Sequence, residues 1–193
     1  MIAIVDYGAG NLCSVQNAFR NVGAQFEVVR EAERLRYASK VVLPGVGHFG
    51  AMMRALDALA LRDAITRSIR DGLPFLGVCL GMQALFEGSA EAPEVAGLKI
   101  LRGRVERFTK EVRVPHMGWN EIKTVKSSRC LTNGYVYFAH SFYAPICEEA
   151  VATCYYSQSF TAAIEKDNCF GVQFHPEKSG ALGLGIVRSF AEL

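Results

Sequence analysis

The sequence predicts an α/β fold: a three-layer sandwich with a mainly parallel central sheet and a smaller antiparallel extension. Three observations predict it. Short apolar runs alternate with helix-period segments through the first half of the chain, the pattern of βα units. Those runs, Ile2–Val5 and Lys40–Leu43 among them, are apolar throughout, as strands buried on both faces are. After Gly97 the pattern changes to closely spaced strand-like runs joined by turns such as Asn133-Gly134, which reads as antiparallel structure. At 193 residues, half of them apolar, the chain fits one domain over residues 1–193 with a sizeable core. No repeat or linker divides it.

Ile2–Val5 reads as the first strand and Asp6–Asn11 as a turn. Asn11 stands where it could cap a helix whose Leu12, Val15, Phe19 and Val22 share one face, with Gly23 as its stop. The Gly8/Gly10 pair lacks the third glycine and the distant acid of a dinucleotide site. Gln25–Val29 and Lys40–Leu43 are the next strands. Phe49, Met52, Met53 and Leu56 mark one helix; Leu61, Ala64, Ile65 and Ile69 mark another, stopped by Gly72. The Met pair reads as core packing. Leu73–Cys79 is a buried strand, followed by a helical segment through Leu85 and Phe86. Later strands are expected at Ile100–Phe108, Glu121–Val125, Tyr135–Ala139, Val151–Tyr156, Phe160–Glu165 and Cys169–Phe174, with a helix over Leu182–Leu193. In such sheets functional residues lie at the carboxyl ends of strands.

The net charge of +2 comes from dispersed residues, which argues against nucleic-acid or membrane-surface binding. The apolar start meets Asp6 at once, has no basic flank and is too short for a signal or a span. Six cysteines (13, 79, 130, 147, 154, 169) and four histidines are scattered without C-x-x-C or metal-ligand spacing. A reduced, cytoplasmic protein without metal or cofactor is the expectation.

The informative stretch is Gly77-Val78-Cys79-Leu80-Gly81-Met82-Gln83. A strand ends at a thiol flanked by glycines two residues either side, and a helix begins: a nucleophile elbow carrying cysteine. The glycines make room where strand and helix start crowd together. The helix N-terminus favours a negative sulfur. Taken alone, Cys79 reads equally well as a small buried hydrophobe.

Acyl transfer at a thiol also needs a base, a group to orient it and oxyanion donors. His175-Pro176-Glu177 follows a strand, and proline favours an extended His175. Residues two apart in an extended segment share a side, so Glu177 could reach the imidazole. Pro44-Gly45-Val46-Gly47 follows the strand before the nucleophile strand and could supply an oxyanion donor beside the Leu80 amide. By themselves these read as a surface His-Pro turn and an ordinary glycine turn. All three stand at strand ends in a compatible order, and that conjunction selects the catalytic reading.

With these residues the chain resembles the class I (triad) glutamine amidotransferases over nearly its full length. Within them it is most similar to the glutaminase subunits of imidazole glycerol phosphate synthase. The subtype elements are Asp6–Leu12, Pro44–Phe49, Pro115-His116-Met117-Gly118-Trp119-Asn120, His140-Ser141-Phe142-Tyr143 and Lys178-Ser179. The resemblance departs at Phe142, where the family often has Tyr, and at Cys13.

It implies a flavodoxin-like fold and glutamine as the substrate, held by Gly47, Gln83, Glu91, Ser141 and Phe142. Cys79, His175 and Glu177 would be catalytic and the Val46 and Leu80 amides the oxyanion hole. It further implies a heterodimer with a (β/α)8-barrel cyclase subunit, docked through Asn11, Trp119, Tyr137 and Lys178. Without it, Glu91 would pass for a solvated acid, and Trp119 and Tyr137 for a core edge. A Gly45–Val46 peptide able to take two orientations, with Gly45 as the permissive residue, would let the partner switch the enzyme on. A free-standing thiol hydrolase, a glutaminase feeding another synthase and a silent docking module are the competing readings.

Overall fold

The computed structural model describes residues 1–8, 11–109 and 112–193. Ala9 and Gly10 of the first turn lie outside the described residues. The first half of the chain runs β1 (Ile2–Val5), α1 (Leu12–Asn21), β2 (Phe26–Val29), a 3-10 turn (Ala32–Tyr37), β3 (Lys40–Gly45), α2 (Phe49–Ala58), α3 (Leu61–Arg70), β4 (Phe75–Cys79) and α4 (Leu80–Gln83). The second half runs β5 (Gly88–Ser89), β6 (Ala92–Ala96), β7 (Arg104–Arg107), β8 (His116–Thr124), β9 (Gly134–His140), β10 (Phe142–Tyr143), β11 (Ala150–Tyr156), β12 (Gln158–Lys166) and β13 (Cys169–Val172). A 3-10 turn (Pro176–Lys178) and α5 (Gly180–Glu192) close it.

One sheet has the order β2-β1-β3-β4-β13-β12-β11-β8-β9, and β10-β7-β5-β6 form a smaller one. The pairs from β2 to β13 are parallel, and those from β13 to β9 antiparallel. Strand alternation splits the core in two. Ile2 and Ile4 of β1, with Leu76 and Val78 of β4, pack with Phe19 of α1 and Phe190 of α5. Ala3, Val5 and Phe75 pack with Leu56 of α2 and Ile65 of α3. Helices therefore cover both faces, which is why the parallel strands are apolar throughout.

Because β3, β4 and β13 are adjacent and parallel, their carboxyl ends share one edge. Gly45 pairs with Cys79, and Val172 with Val78. The segments after these strands carry Val46 and Gly47, Leu80, and His175. This topology assembles the site.

Some local expectations are corrected. Asn11 occupies the N-cap of α1 but its side chain makes no capping bond. Helix α4 is one turn. Leu85 and Phe86 close i→i+3 bonds onto Met82 and Gln83, tightening the chain toward β5. Of Ile100–Phe108 only β7 is a strand, in the smaller sheet, and β8 begins at His116, earlier than its apolar run suggests. Strands β5 and β10 have two residues each, too few for periodicity to register; β6 also escaped it. No helix among the described residues is long and apolar enough to cross a membrane.

Candidate active site

The elbow at Cys79 is a strained turn. Cys79 has φ 54° and ψ −108°, a conformation unusual for a residue with a Cβ. The turn is possible because helix start and strands touch backbone to backbone. A Cβ on Gly81 would lie 1.8 Å from the Leu43 carbonyl oxygen, and one on Gly77 2.5 Å from that of Gly81. Substitution at either glycine would push the sulfur out of place. Cys79 itself is 6% exposed and lines the cavity described below. Burial pushes the Cys154 and Cys169 thiols up to about 12 and Cys130 to about 11, leaving them as inert thiols.

His175 follows β13, its amide held by the Tyr137 carbonyl at 2.9 Å. His175 is extended, but Glu177 reaches it through the 3-10 turn over Pro176–Lys178 rather than along a straight segment. Nδ1 of His175 lies 2.8 Å from Oε1 of Glu177, which leaves Nε2 for the Cys79 sulfur. Burial disfavours charge on His175, yet its hydrogen bonds to Cys79 and Glu177 outweigh that and raise it to about 10. The buried trio thus favours the imidazolium form of His175.

Val46 and Leu80 flank the sulfur. Leu80 starts α4, so its amide is among those a helix start leaves without an intrahelical partner. The Val46 amide is engaged elsewhere, donating to the Tyr7 hydroxyl at 3.3 Å. Burial pushes Tyr7 up to about 12, so the hydroxyl stays neutral. In this orientation of the loop Gly45 is required by close packing. It pairs within β3, and a Cβ there would lie 2.7 Å from Gly81 N and Leu80 Cβ. The left-handed residue of this loop is Gly47, with φ +94° and open space around it.

Beside the sulfur lies a cavity of about 170 Å³, sized for a small substrate. Gly47, Gln83, Glu91, Ser141 and Phe142 all line it, with Val46, Cys79 and Leu80. Glu91 Oε2 accepts from the Phe49 amide at 2.7 Å, anchoring the carboxylate at the start of α2. Gln83 is more committed than expected: its Nε2 donates to the Phe142 carbonyl and to Gln173 Oε1, both at 2.9 Å. A larger hollow of about 480 Å³ lies between the first 3-10 turn and α3. Charged side chains such as Glu33, Arg36 and Arg67 rim it, but no nucleophile–base pair does.

Two further histidines adjoin the cavity, and His140 lines it. His140 Nδ1 meets the Phe142 carbonyl at 2.8 Å, and His140 Nε2 meets His116 Nδ1 at 3.0 Å. Asn120 Nδ2 completes the row at His116 Nε2, 3.3 Å away. Phe108, Phe138 and Phe160 pack around both rings. Burial lowers His116 to about 4 and His140 to about 3, so both are neutral when folded. Between pH 6.5 and 4 the unfolded chain therefore takes up protons that the folded chain refuses, and stability falls with acid. The expected loss reaches ~3 kcal/mol per histidine. Urea midpoints at pH 7 and 4.5 check this; equal midpoints would overturn it.

On the outer face, Trp119 and Tyr137 are cross-strand partners on β8 and β9, with ring centroids 6.3 Å apart. Lys178 Nζ sits 5.7 Å from the Tyr137 ring. Trp119 is 56% exposed, so it does not fill a core edge. Met117 and Tyr135 share the face, since residues two apart on a strand do, and both are exposed. Asn11 stands apart from these contacts, exposed at the start of α1.

Sequence reasoning missed Tyr7, Gln173 and the packing of the two histidines. The available signal was polarity out of place: Gln173 interrupts the apolar run Cys169–Phe174, and a polar side chain in such a run must find partners.

A family model of the class-I glutamine amidotransferases matches residues 3–190. Imidazole glycerol phosphate synthase subunit HisH of Methanothermobacter thermautotrophicus is 48% identical, the alignment covering 100% of this chain and 98% of that one. The protein of the same name from Methanocaldococcus jannaschii is 43% identical, with 100% of both chains covered. Among solved structures, a glutamine amidotransferase superposes with a TM-score of 0.80 at 18% identity over the whole of both chains. A structure of PurLQS from Thermotoga maritima gives 0.78 at 18% identity, covering 99% of this chain and 97% of that one. These two likenesses concern the fold. A thiol elbow, a histidine and a glutamate joined at one sheet edge accompany full-length identity well above the level needed to define a family, and the chain belongs to the class I glutamine amidotransferases.

Proposed function

We propose that this chain is the glutaminase subunit of an imidazole glycerol phosphate synthase, hydrolysing glutamine and passing ammonia to a (β/α)8-barrel cyclase subunit in the cytoplasm. The observation that carries the chemistry is the Cys79–His175–Glu177 trio opening into a cavity that also holds Glu91. The relatives named as subunit HisH support the assignment to this synthase.

Glu91 takes the substrate ammonium, and the side-chain amide carbon comes to the Cys79 thiolate. Attack forms a C–S bond and a tetrahedral oxyanion, stabilised by the Leu80 and Val46 amides. His175, charged and oriented by Glu177, protonates the amide nitrogen; the C–N bond breaks and ammonia leaves a thioester. Neutral His175 then takes a proton from water, whose oxygen attacks the thioester. Collapse expels the thiolate and releases glutamate, with His175 again charged.

The Val46 amide must leave Tyr7 before it can serve as an oxyanion donor. Partner docking supplies that change in this reading, which disfavours a free-standing hydrolase. Glutaminase rates with and without the cyclase subunit test the function; equal, partner-independent turnover would refute it.

The docking face is Trp119, Tyr137 and Lys178, with Asn11 at its margin. An exposed Trp and a Lys over an aromatic ring are strong anchors once desolvated. Trp119→Ala and Lys178→Ala should each weaken cyclase binding by ~1–3 kcal/mol, measured by titration calorimetry. Unchanged dissociation constants for both variants would place the interface elsewhere.

A further inference from the structure

The nucleophile has a neighbour besides His175. Gln173 is fully buried between β13 and His175, and its Nε2 lies 3.6 Å from Cys79 Sγ. Which end of that amide faces the sulfur is fixed by one backbone oxygen. The Phe142 carbonyl can only accept, so the Gln83 atom 2.9 Å from it must be the NH2 group. The second hydrogen of that NH2 points at Gln173, whose facing atom must then be its oxygen. The remaining end of Gln173, the NH2, is therefore the one on the sulfur.

The same carbonyl fixes the histidine row. His140 Nδ1 must donate to it, so neutral His140 accepts at Nε2 from His116 Nδ1, and His116 Nε2 accepts from Asn120. Phe142 O is thus held from both sides, by His140 and by Gln83, and has no freedom to let the amide chain reverse.

We propose that Gln173 is a fourth catalytic residue, a locked hydrogen-bond donor to the Cys79 sulfur that stabilises it as thiolate in the free enzyme and as leaving group when the thioester breaks down. A donor to an ionised acceptor is about twice as strong as a neutral bond, and it is lost while the sulfur is acylated. Its contribution falls on thiolate formation and deacylation rather than on glutamine binding. Gln173 does not line the substrate cavity, which is consistent with that division. The inference rests on the reading of Cys79 as nucleophile.

The test is the pH dependence of Cys79 alkylation by iodoacetamide in the complex, comparing wild type with Gln173→Met, which keeps the volume and lacks the donor. The half-plateau of alkylation should move to higher pH by about one unit, and kcat should fall roughly tenfold with KM for glutamine unchanged. Identical profiles in a folded Gln173→Met protein overturn the proposal. A second measurement needs no variant at Gln173. In the wild-type chain the Gln173 side-chain amide resonances should follow deprotonation of Cys79, and that response should vanish in Cys79→Ala. Amide resonances indifferent to the thiol also overturn it. If Cys79→Ala retains glutaminase turnover, the nucleophile assignment fails; if it is dead and Gln173→Met behaves as wild type, only the role of Gln173 fails.

Discussion

Cys79→Ala should lower glutamine hydrolysis by the complex at least about 10⁴-fold, while the chain still folds and the complex still uses free ammonia. Sulfur removal deletes an atom that borders the cavity and whose interaction helps to raise His175. Ser141 borders the cavity too, but His175 is engaged with Cys79 and Glu177. The other imidazole there, His140, has both ring nitrogens committed to Phe142 and His116. The fold should survive because alanine fills the elbow with the same Cβ and the packing of Gly77 and Gly81 is untouched. Steady-state glutaminase and ammonia-dependent synthesis, measured side by side, decide the matter. Full glutaminase turnover by Cys79→Ala would sink the covalent mechanism.

Glutamine turnover by the free chain should run about 10²–10³-fold below that of the complex, the usual consequence of one missing oxyanion donor. Tyr7→Phe should recover much of that difference without any partner. The reason is the bond from the Val46 amide to the Tyr7 hydroxyl at 3.3 Å, which directs the donor to Tyr7 instead of to a developing oxyanion. Partner binding must then favour the other peptide orientation by roughly 3–4 kcal/mol. Tyr7→Phe removes the acceptor while keeping the ring in its core cluster. Gly45, the residue that the loop sequence nominates for such a test, cannot be used. Any side chain there meets Leu80 and Gly81 and would disturb the elbow whatever the peptide does. Equal rates for free chain and complex would remove the switch altogether. A large ratio with Tyr7→Phe unchanged in the free chain would put the latch on another residue.

Much of this protein is legible in its sequence because the relevant signals are local. Apolar runs without alternation announce strands covered on both faces, and Gly77-Val78-Cys79-Leu80-Gly81 announces an elbow because crowding at a strand-to-helix turn excludes side chains. His175-Pro176-Glu177 carries its own partner two residues away, though through a 3-10 turn rather than an extended segment. What the sequence does not contain is pairing between residues far apart in it. The two-residue strands β5 and β10 exist only because a neighbouring strand supplies their hydrogen bonds, and no periodicity can register in so few residues. Tyr7 and Val46 meet because β1 and β3 are adjacent and parallel. Gln173 reaches Cys79 because β13 pairs with β4 across ninety-four positions of chain. By itself the sequence determined the class of fold and nominated a candidate nucleophile and base, since each rests on residues close together along the backbone. Tertiary structure alone decided where the Val46 amide points and which atom of Gln173 faces the sulfur, since a hydrogen bond is settled by which donor and acceptor the fold brings within about 3 Å.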